Sequence, residues 1–577
     1  MRHRQTPRLA PILCALALLA ACAARSSGPQ PAADTLVDVQ LLALNDFHGA
    51  LEPPTGSNGR MGGVDAGGVE FLATHLARLR ATNPHTLTVA AGDNIGASAL
   101  LSGMFHDEPA IEALGAAGLD VSTVGNHEFD EGWDELYRIQ HGGCHPVDGC
   151  QDGTPFAGAP FEILAANVTI DPARVGADAL TRSGWTPKPG GAQALLPAYT
   201  IREIGGVRIG FIGLVLRGTA EIVPKPGIRG LSFLPEVQAG NDAVAALTRQ
   251  GVRAIVVLIH EGGQPATSDP NGCGVTGPIV PITRGLSDEV DVVVSGHSHR
   301  SYVCTVGNTL LTSAESLGRL VTKIDLQIDR RTGDVVAKRA NNVIVTRDVP
   351  RDPAQTRLLD HYRPSYHAAA DRIVGTVSAP LTRATLPSGE SAYGDIVADA
   401  FLDAGRRVDA RAVAALVNPG GLRGDLSGDD PADDGVPRTV RYVEAFDSLP
   451  FGNRVAVRTI SGDALARMLE EQFDNPDPGA RKILQVSSGF TYAYDSLKPA
   501  GQRVDRSTIR VAGKPLDLSH GYRIVSSDFI WSGGDEFSTA TEGTDPVDAG
   551  ADVDALLAYL GAHSPVAPGR RDRIRGR

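Results

Sequence analysis

Five short clusters of cation-holding side chains punctuate the first 300 residues. They are Asn45-Asp46-Phe47-His48-Gly49, Gly92-Asp93-Asn94, Gly125-Asn126-His127-Glu128-Phe129-Asp130, His260-Glu261-Gly262-Gly263 and Gly296-His297-Ser298-His299. Carboxylate, carboxamide and imidazole together suit first-row divalent ions such as Mn²⁺, Zn²⁺ or Fe²⁺. Asp46 and His48 are two apart, as are His297 and His299, and on an extended chain such pairs face one side. Glycines at 49, 92, 125 and 296 allow sharp turns and close backbone approach. The ligands suffice for two ions. A pair of ions ~3.5–4 Å apart shares a ligand, and Asp93 is the natural bridge. His127-Glu128 does not open a zincin motif, because position 131 is Glu. Any one cluster says little, since Asp-x-His arises by chance and a strand-end His such as His260 is commonly structural. The ordered set of five is what points to a dimetal site.

Each cluster terminates an apolar run: Val37–Leu44, Leu87–Ala91, Val121–Val124, Ala254–Ile259 and Val292–Val294. Further runs lie at Ile163–Ala166 and Val207–Val215, with helical periodicity at Val69–Leu79, Pro109–Ala117 and Glu236–Leu247 between them. Strands alternating with helices predict an α/β layered domain. In such sheets ligands bind beyond the carboxyl ends of the strands, so five strand ends would line one edge with metal ligands. Thr309–Ser313 and Leu320–Ile328 follow closely and predict neighbouring strands. The first domain is assigned to residues 37–349. Residues 350–371, with Pro350, Pro353 and Pro364, read as a connector with some helix and a place for hinge motion. A second α/β domain is assigned to 372–565. A tail, 566–577, carries five arginines and reads as a solvated end.

The N-terminus bears on compartment. Arg2, Arg4 and Arg8 precede an apolar run from Leu9 to Ala21 that is too short to span a bilayer. Leu19-Ala20-Ala21-Cys22 resembles a lipobox, with 1–21 as signal peptide and Cys22 as the lipidated mature N-terminus. Ordinary signal cleavage is the alternative. Either predicts export, to the periplasm or an outer-membrane-attached state with the lipid as the only membrane contact. Residues 22–36 then form a flexible tether. Outside the leader, Cys144, Cys150, Cys273 and Cys304 make an even number, as in a disulfide-bonded exported chain. Proximity favours Cys144–Cys150 and Cys273–Cys304 among three possible connectivities. The chain has 577 residues and a formal net charge of −13. Such acidity disfavours binding to a nucleic-acid polymer.

The five clusters, as Asn45-Asp46-x-His48-Gly49, Gly92-Asp93, Gly125-Asn126-His127-Glu128, His260 and Gly296-His297-x-His299, resemble the calcineurin-like metallophosphoesterase signature. The second segment is similar to the bacterial 5′-nucleotidase group. It contains Gly394-Asp395-Ile396-Val397-Ala398-Asp399-Ala400, Asn418-Pro419-Gly420-Gly421-Leu422-Arg423, Leu449-Pro450-Phe451-Gly452 and Phe529-Ile530-Trp531-Ser532-Gly533-Gly534-Asp535. The resemblance implies a layered β-sandwich flanked by helices, followed by a nucleotide-binding α/β domain. It implies two divalent ions (Mn, Zn, Fe, Co or Mg). One would be held by Asp46, His48, Asp93 and His299, the other by Asp93, Asn126, His260 and His297. Close nucleotidases carry Gln at the position of His299. His127, oriented by Asp130, would face the phosphate. Phe451 and Phe529 would sandwich the base, Asn418 would contact it, Asp535 would bind the ribose and Arg423 the phosphate. A family Arg before the Glu-x-x-x-Gly motif is missing at Glu390–Gly394, and Arg383 lies nearby without aligning. The implied activity is hydrolysis of 5′-nucleotides to nucleoside and phosphate by a hydroxide bridging the ions. Alternatives with the same site are a 2′,3′-cyclic nucleotide phosphodiesterase or a nucleoside-diphosphate-sugar or NAD pyrophosphohydrolase. A non-catalytic nucleotide-binding lipoprotein is the reading furthest from these.

Overall fold

The Leu36–Leu44 strand is buried along nearly its whole length, as a strand flanked on both edges and covered on both faces must be. It pairs antiparallel with Leu320–Asp329 and parallel with Thr86–Ala90. Val335–Ile344 extends that sheet on one side, and Val121–Thr123 and Glu162–Leu164 on the other, giving six strands. A second six-stranded sheet runs Ser301–Val306, Thr309–Ala314, Val292–Ser295, Ala254–His260, Val207–Val215, Tyr199–Ile204. The computed structural model describes residues 35–54, 56–429, 436–475 and 479–577. The expectations for the signal segment 1–21, for Cys22 and for nearly all of the 22–36 tether lie outside the described residues.

The two sheets stack through Val39, Leu41, Val89, Phe211, Val256, Leu258 and Val292. Their outer faces are covered by helices. Val69–Arg80 and Glu108–Ala116 pack on the first sheet, and Glu236–Arg249 on the second. The expected α/β layering is therefore realised as helix, sheet, sheet, helix. Because adjoining strands are parallel, several end at the same rim.

The second half is built on a five-stranded sheet in the order Gln485–Val486, Ala412–Val417, Gly521–Ser527, Arg454–Ser461, Thr544–Ala551. Ala392–Val408 and Asp552–His563 cover one face, and Gly462–Glu470 the other. The disulfides join Cys144 to Cys150 and Cys273 to Cys304.

Two features differ from expectation. The stretch 350–371 is one helix, Pro353–Ala370, capped by Asp352, which accepts from the N–H groups of Ala354 and Gln355. Leu359, Tyr362 and Tyr366 are buried in the first half's core, and the Tyr hydroxyls donate to Glu112 (2.9 Å) and Glu52 (3.0 Å). Bending within the helix would expose those rings, so a hinge belongs after it, beyond Ala370. The tail is likewise not a solvated end. Ile574–Gly576 adds a parallel strand beside Thr491–Tyr494, Ile574 is buried, and Arg573 pairs with Asp399 at 2.7 Å. The arginine run hid one apolar anchor and one half-buried ion pair.

The halves meet where Tyr442–Ser448 packs Tyr442, Val443 and Phe446 against the first core. There the Leu100 N–H donates to Asp447 Oδ1 (2.8 Å). Burial pushes the Asp447 carboxyl up to about 7, with Glu52 and Glu444 adding to the rise. Its folded pKa exceeds its unfolded value, so the native state binds the extra proton between them. The stabilisation is complete below the unfolded pKa and is lost as pH rises through about 7. Thermal melts across that window should show stability declining with pH in the parent chain. Asp447→Asn should flatten the decline, and an unchanged slope would contradict this assignment.

Candidate dimetal active site

Asp46, His48 and His299 form one ligand group, and Asp93, His260 and His297 another. All lie at the sheet rim, on strand ends or the loops that follow them. His260 ends Ala254–His260, and Asp46 and His48 follow Leu36–Leu44. The argument from an extended chain fails in detail. Asp46, His48, Asp93, His297 and His299 have φ of 51°, 49°, 49°, 68° and 50°, in the left-handed region that non-glycine residues seldom occupy. Tight turns, rather than strand alternation, aim these side chains together, and such strain concentrates at functional sites. Gly92 and Gly125 do what glycine must: a Cβ on Gly92 would lie 2.5 Å from Gly125 N, and one on Gly125 2.1 Å from Asp93 Oδ1.

Proton positions follow from the carbonyls nearby. His260 Nδ1 is 2.8 Å from Ala91 O and His48 Nδ1 is 2.8 Å from Gly96 O. A carbonyl only accepts, so both Nδ1 atoms donate, and in the neutral rings Nε2 carries a lone pair. His260 Nε2 is then 2.9 Å from Asp93 Oδ2. His48 Nε2 is 3.0 Å from His299 Nε2 and 3.7 Å from Asp93 Oδ2. His299 Nε2 is 3.3 Å from Asp46 Oδ1, and His297 Nδ1 is 3.0 Å from Asn126 Oδ1. Neutral His299 and His297 can each donate at their contacts, but His260 Nε2 meets the Asp93 carboxylate lone pair to lone pair and has no hydrogen-bond partner, so a cation is called for there, and the residues present fit divalent ions.

The electrostatics agree. Without an ion the cluster must recruit protons. Burial lowers the His260 pKa, but Asp93 and Asp46 overcome it and raise it to about 10. Burial holds His297 down at about 3, with cationic His260 adding to the effect. Asp93 would be raised by burial, yet His260, His127 and His48 keep it well below the usual carboxylate range.

Beside the cluster, His127 Nδ1 is 2.7 Å from Asp130 Oδ2 and its Nε2 is 4.0 Å from Asp93 Oδ2. Burial opposes its protonation, while Asp130 and Asp93 raise its pKa. The second half reaches this point. Phe451 stacks on His127 with ring centroids 5.6 Å apart, and the Arg423 guanidinium lies 5.6 Å from the Phe451 ring. Arg383 is tied to the Arg423 loop through Asp425 Oδ1 (3.2 Å) and Leu422 O (3.3 Å). Asn418 Nδ2 donates to Asp535 Oδ2 (2.9 Å). The Phe529 ring lies so close to Gly534 that a Cβ there would be 2.6 Å from it. Among the described residues no ring contact joins Phe451 and Phe529.

Sequence reasoning passed over three supporting residues. Glu128, part of the signature but given no role, accepts from the N–H groups of Asp93 (3.0 Å), Asn94 (2.8 Å) and Gly125. Asn45 donates to Asp46 (2.7 Å) and Glu315 O and accepts from the Ala314 N–H. Their adjacency to the ligands in sequence was the available signal. Lys482, which donates to Asp535 Oδ1 (2.7 Å), stands 53 positions from its partner and carried none.

Comparison with known proteins bears on this arrangement. The 5′-nucleotidase C-terminal domain family matches residues 373–542. The structure of a 5′-nucleotidase precursor from Thermus thermophilus superposes with a TM-score of 0.74 at 26% identity, covering 94% of this chain and 99% of that one. The second half therefore carries a 5′-nucleotidase C-terminal domain, and the chain as a whole is similar in fold to a 5′-nucleotidase. Endonuclease YhcR of Bacillus subtilis is 29% identical over 95% of this chain, which spans only 41% of that protein's length. The cell wall protein Lmo0130 of Listeria monocytogenes is 29% identical over 92% of this chain and 68% of its own.

Glu128→Ala would strand three buried N–H donors. At ~1–3 kcal/mol for each unsatisfied donor, several kcal/mol of stability should go. Denaturant titration should show the midpoint falling and bound divalent metal falling with it. An unchanged midpoint would remove Glu128 from the support of the site.

Proposed function

We propose that the chain is an exported, metal-dependent phosphohydrolase that converts 5′-nucleotides to nucleoside and phosphate. One observation carries the proposal: a cluster of facing acceptors abuts a carboxylate-held imidazole, and a half-buried arginine and an aromatic ring come to it from the other half. Asp46, His48, Asp93 and His299 would hold one ion, and Asp93, Asn126, His260 and His297 the other. Bound there, divalent ions supply acidified water and polarised phosphoryl oxygens.

The chain's own residues do the remainder. Asp130 fixes His127 through Nδ1, leaving Nε2 to present a proton to the phosphoryl group or the leaving oxygen. Arg423 draws the anion toward the ions. Asn418, Asp535, Phe451 and Phe529 would receive the nucleoside, with the rings supplying stacking surfaces. Phe451 already rests on His127. A base stacked there must use its remaining surface, or the halves must shift, with the pivot after Ala370. Two disulfides support export, and lipidation at Cys22 remains the anchoring proposal.

Assays of AMP, UMP, 2′,3′-cyclic AMP, UDP-glucose and NAD with Mn²⁺, Zn²⁺, Co²⁺ and Mg²⁺ test the reading. Phosphate release from AMP should be fastest and should vanish with EDTA. Faster turnover of a diester or pyrophosphate would move the activity to those substrates. Asp93→Ala should abolish turnover together with metal retention. Asp130→Asn should lower kcat by roughly 10²-fold while leaving metal content intact, the range expected for loss of an oriented acid–base group. An Asp130→Asn enzyme with parental kcat would take His127 out of the chemistry.

A further inference from the structure

Asp535 is gripped by side chains from separate parts of the second half. It follows Gly533-Gly534 and has φ of 56°, in the left-handed region. Its carbonyl accepts from Asn475 Nδ2 at 2.7 Å, which fixes that backbone. The Phe529 ring lies against Gly534, where a Cβ would meet it at 2.6 Å, so ring and carboxylate are neighbours. Asp535 Oδ2 accepts from Asn418 Nδ2 at 2.9 Å, and Oδ1 accepts from Lys482 Nζ at 2.7 Å. Both Asp535 and Asn418 are buried. Lys482 is anchored in turn: its N–H donates to Gln472 O (2.9 Å), and Ile483 and Leu484 after it are buried. The stretch from Asn418 to Arg423 spans at most ~17 Å even when fully extended. One short loop therefore carries the amide that holds Asp535 at one end and the guanidinium beside Phe451 at the other.

We propose that Lys482 is a positioning residue that sets sugar specificity: it locks Asp535 from one side while Asn418 holds it from the other, so that the site takes 5′-nucleotides whose 2′ and 3′ hydroxyls are both free, an assignment that rests on the nucleotide-hydrolase reading. An ionised carboxylate only accepts, and each oxygen has about two lone pairs. Lys482 takes one on Oδ1 and Asn418 one on Oδ2, which leaves an acceptor direction on each oxygen. Two acceptors fixed in one plane match a pair of neighbouring hydroxyls, each donating to one oxygen. Hydrogen bonds to an ionised acceptor are stronger than neutral ones. The Lys482 charge is neutralised by the carboxylate it holds, so the sugar meets acceptors rather than a free cation. A sugar lacking the hydroxyls leaves buried acceptors unpaired, the costly case for a hydrogen-bonding group. A sugar whose hydroxyls are tied up as a cyclic phosphate sets oxygen against oxygen. Without Lys482 the carboxylate keeps only the Asn418 tether and is free to turn about it.

The test is steady-state kinetics of the full-length chain with Mn²⁺, comparing AMP with 2′,3′-dideoxy-AMP. The parent should favour AMP through KM by roughly 10²-fold, since two charge-assisted hydrogen bonds are at stake. Lys482→Met should raise KM for AMP roughly 10-fold and leave KM for the dideoxy substrate near its parental value, with the loss in KM rather than kcat. Lys482→Arg, which can still donate to Oδ1, should restore most of the discrimination. A merely structural role would move both substrates alike, so an equal shift for both, or none, would overturn the role of Lys482. Should Lys482→Met not fold, Lys482→Gln takes its place, with one donor kept and the charge removed, and the same substrate-selective rise in KM is expected. Equal KM values for the two substrates in the parent would overturn the sugar assignment. A parent that hydrolyses no 5′-nucleotide would sink the hydrolase reading and this one with it, a result distinct from hydrolysis without sugar preference.

Discussion

Facing acceptors at the sheet rim are the constraint on which the rest depends. His48 and His260 give their Nδ1 protons to backbone carbonyls, and their remaining nitrogens look at Asp93 and His299. With His260 Nδ1 committed to a carbonyl, a neutral ring leaves its Nε2 facing the Asp93 carboxylate acceptor to acceptor, so a positive charge, as a ring proton or a metal ion, must lie there. The surroundings look like measures to hold the groups against their own repulsion. Five ligand residues sit in left-handed backbone. Glu128 ties three N–H groups around Asp93, and Asn45 bridges Asp46 to the far strand. The dry contact between the sheets fixes the strand ends from which all of this projects.

The second constraint is that the halves share one centre. The first supplies the ligands and the His127–Asp130 pair. The second supplies Arg423 and Phe451, and Phe451 touches His127 directly. The helix Pro353–Ala370 belongs to the first half by packing, so the connection between the halves is the short stretch after Ala370 rather than all of 350–371. Asp447 ties the second half to Leu100, just after the loop whose Gly96 carbonyl meets His48 Nδ1.

Much of this was legible in the sequence because strand ends are punctuated. Apolar runs marked the strands to within a residue or two, as at Val207–Val215, and the ligand clusters followed them. What was not legible was long-range or conformational. The spacing of Asp46 and His48 suggested an extended chain, whereas positive φ at both does the aiming. Lys482 meets Asp535 only through folding. The arginines after Gly569 read as solvated because charge dominates that composition, yet a single Ile574 and the Arg573–Asp399 pair dock the segment. Partner identity outweighs composition when one buried side chain decides.

The charge pattern reconciles an acidic protein with an anionic ligand. The chain carries −13 overall, which discourages a long polyanion. A mononucleotide-sized ligand meets the local field instead. At the rim that field comes from ligands that demand cations, from His127, and from Arg423 with Arg383 behind it. Burial lowers the Arg423 pKa, while Asp93, Asp130 and Asp46 work against that, so the guanidinium is held charged by the same carboxylates that call for metal. Lys482 pairs with the Asp535 carboxylate in the second half at 2.7 Å.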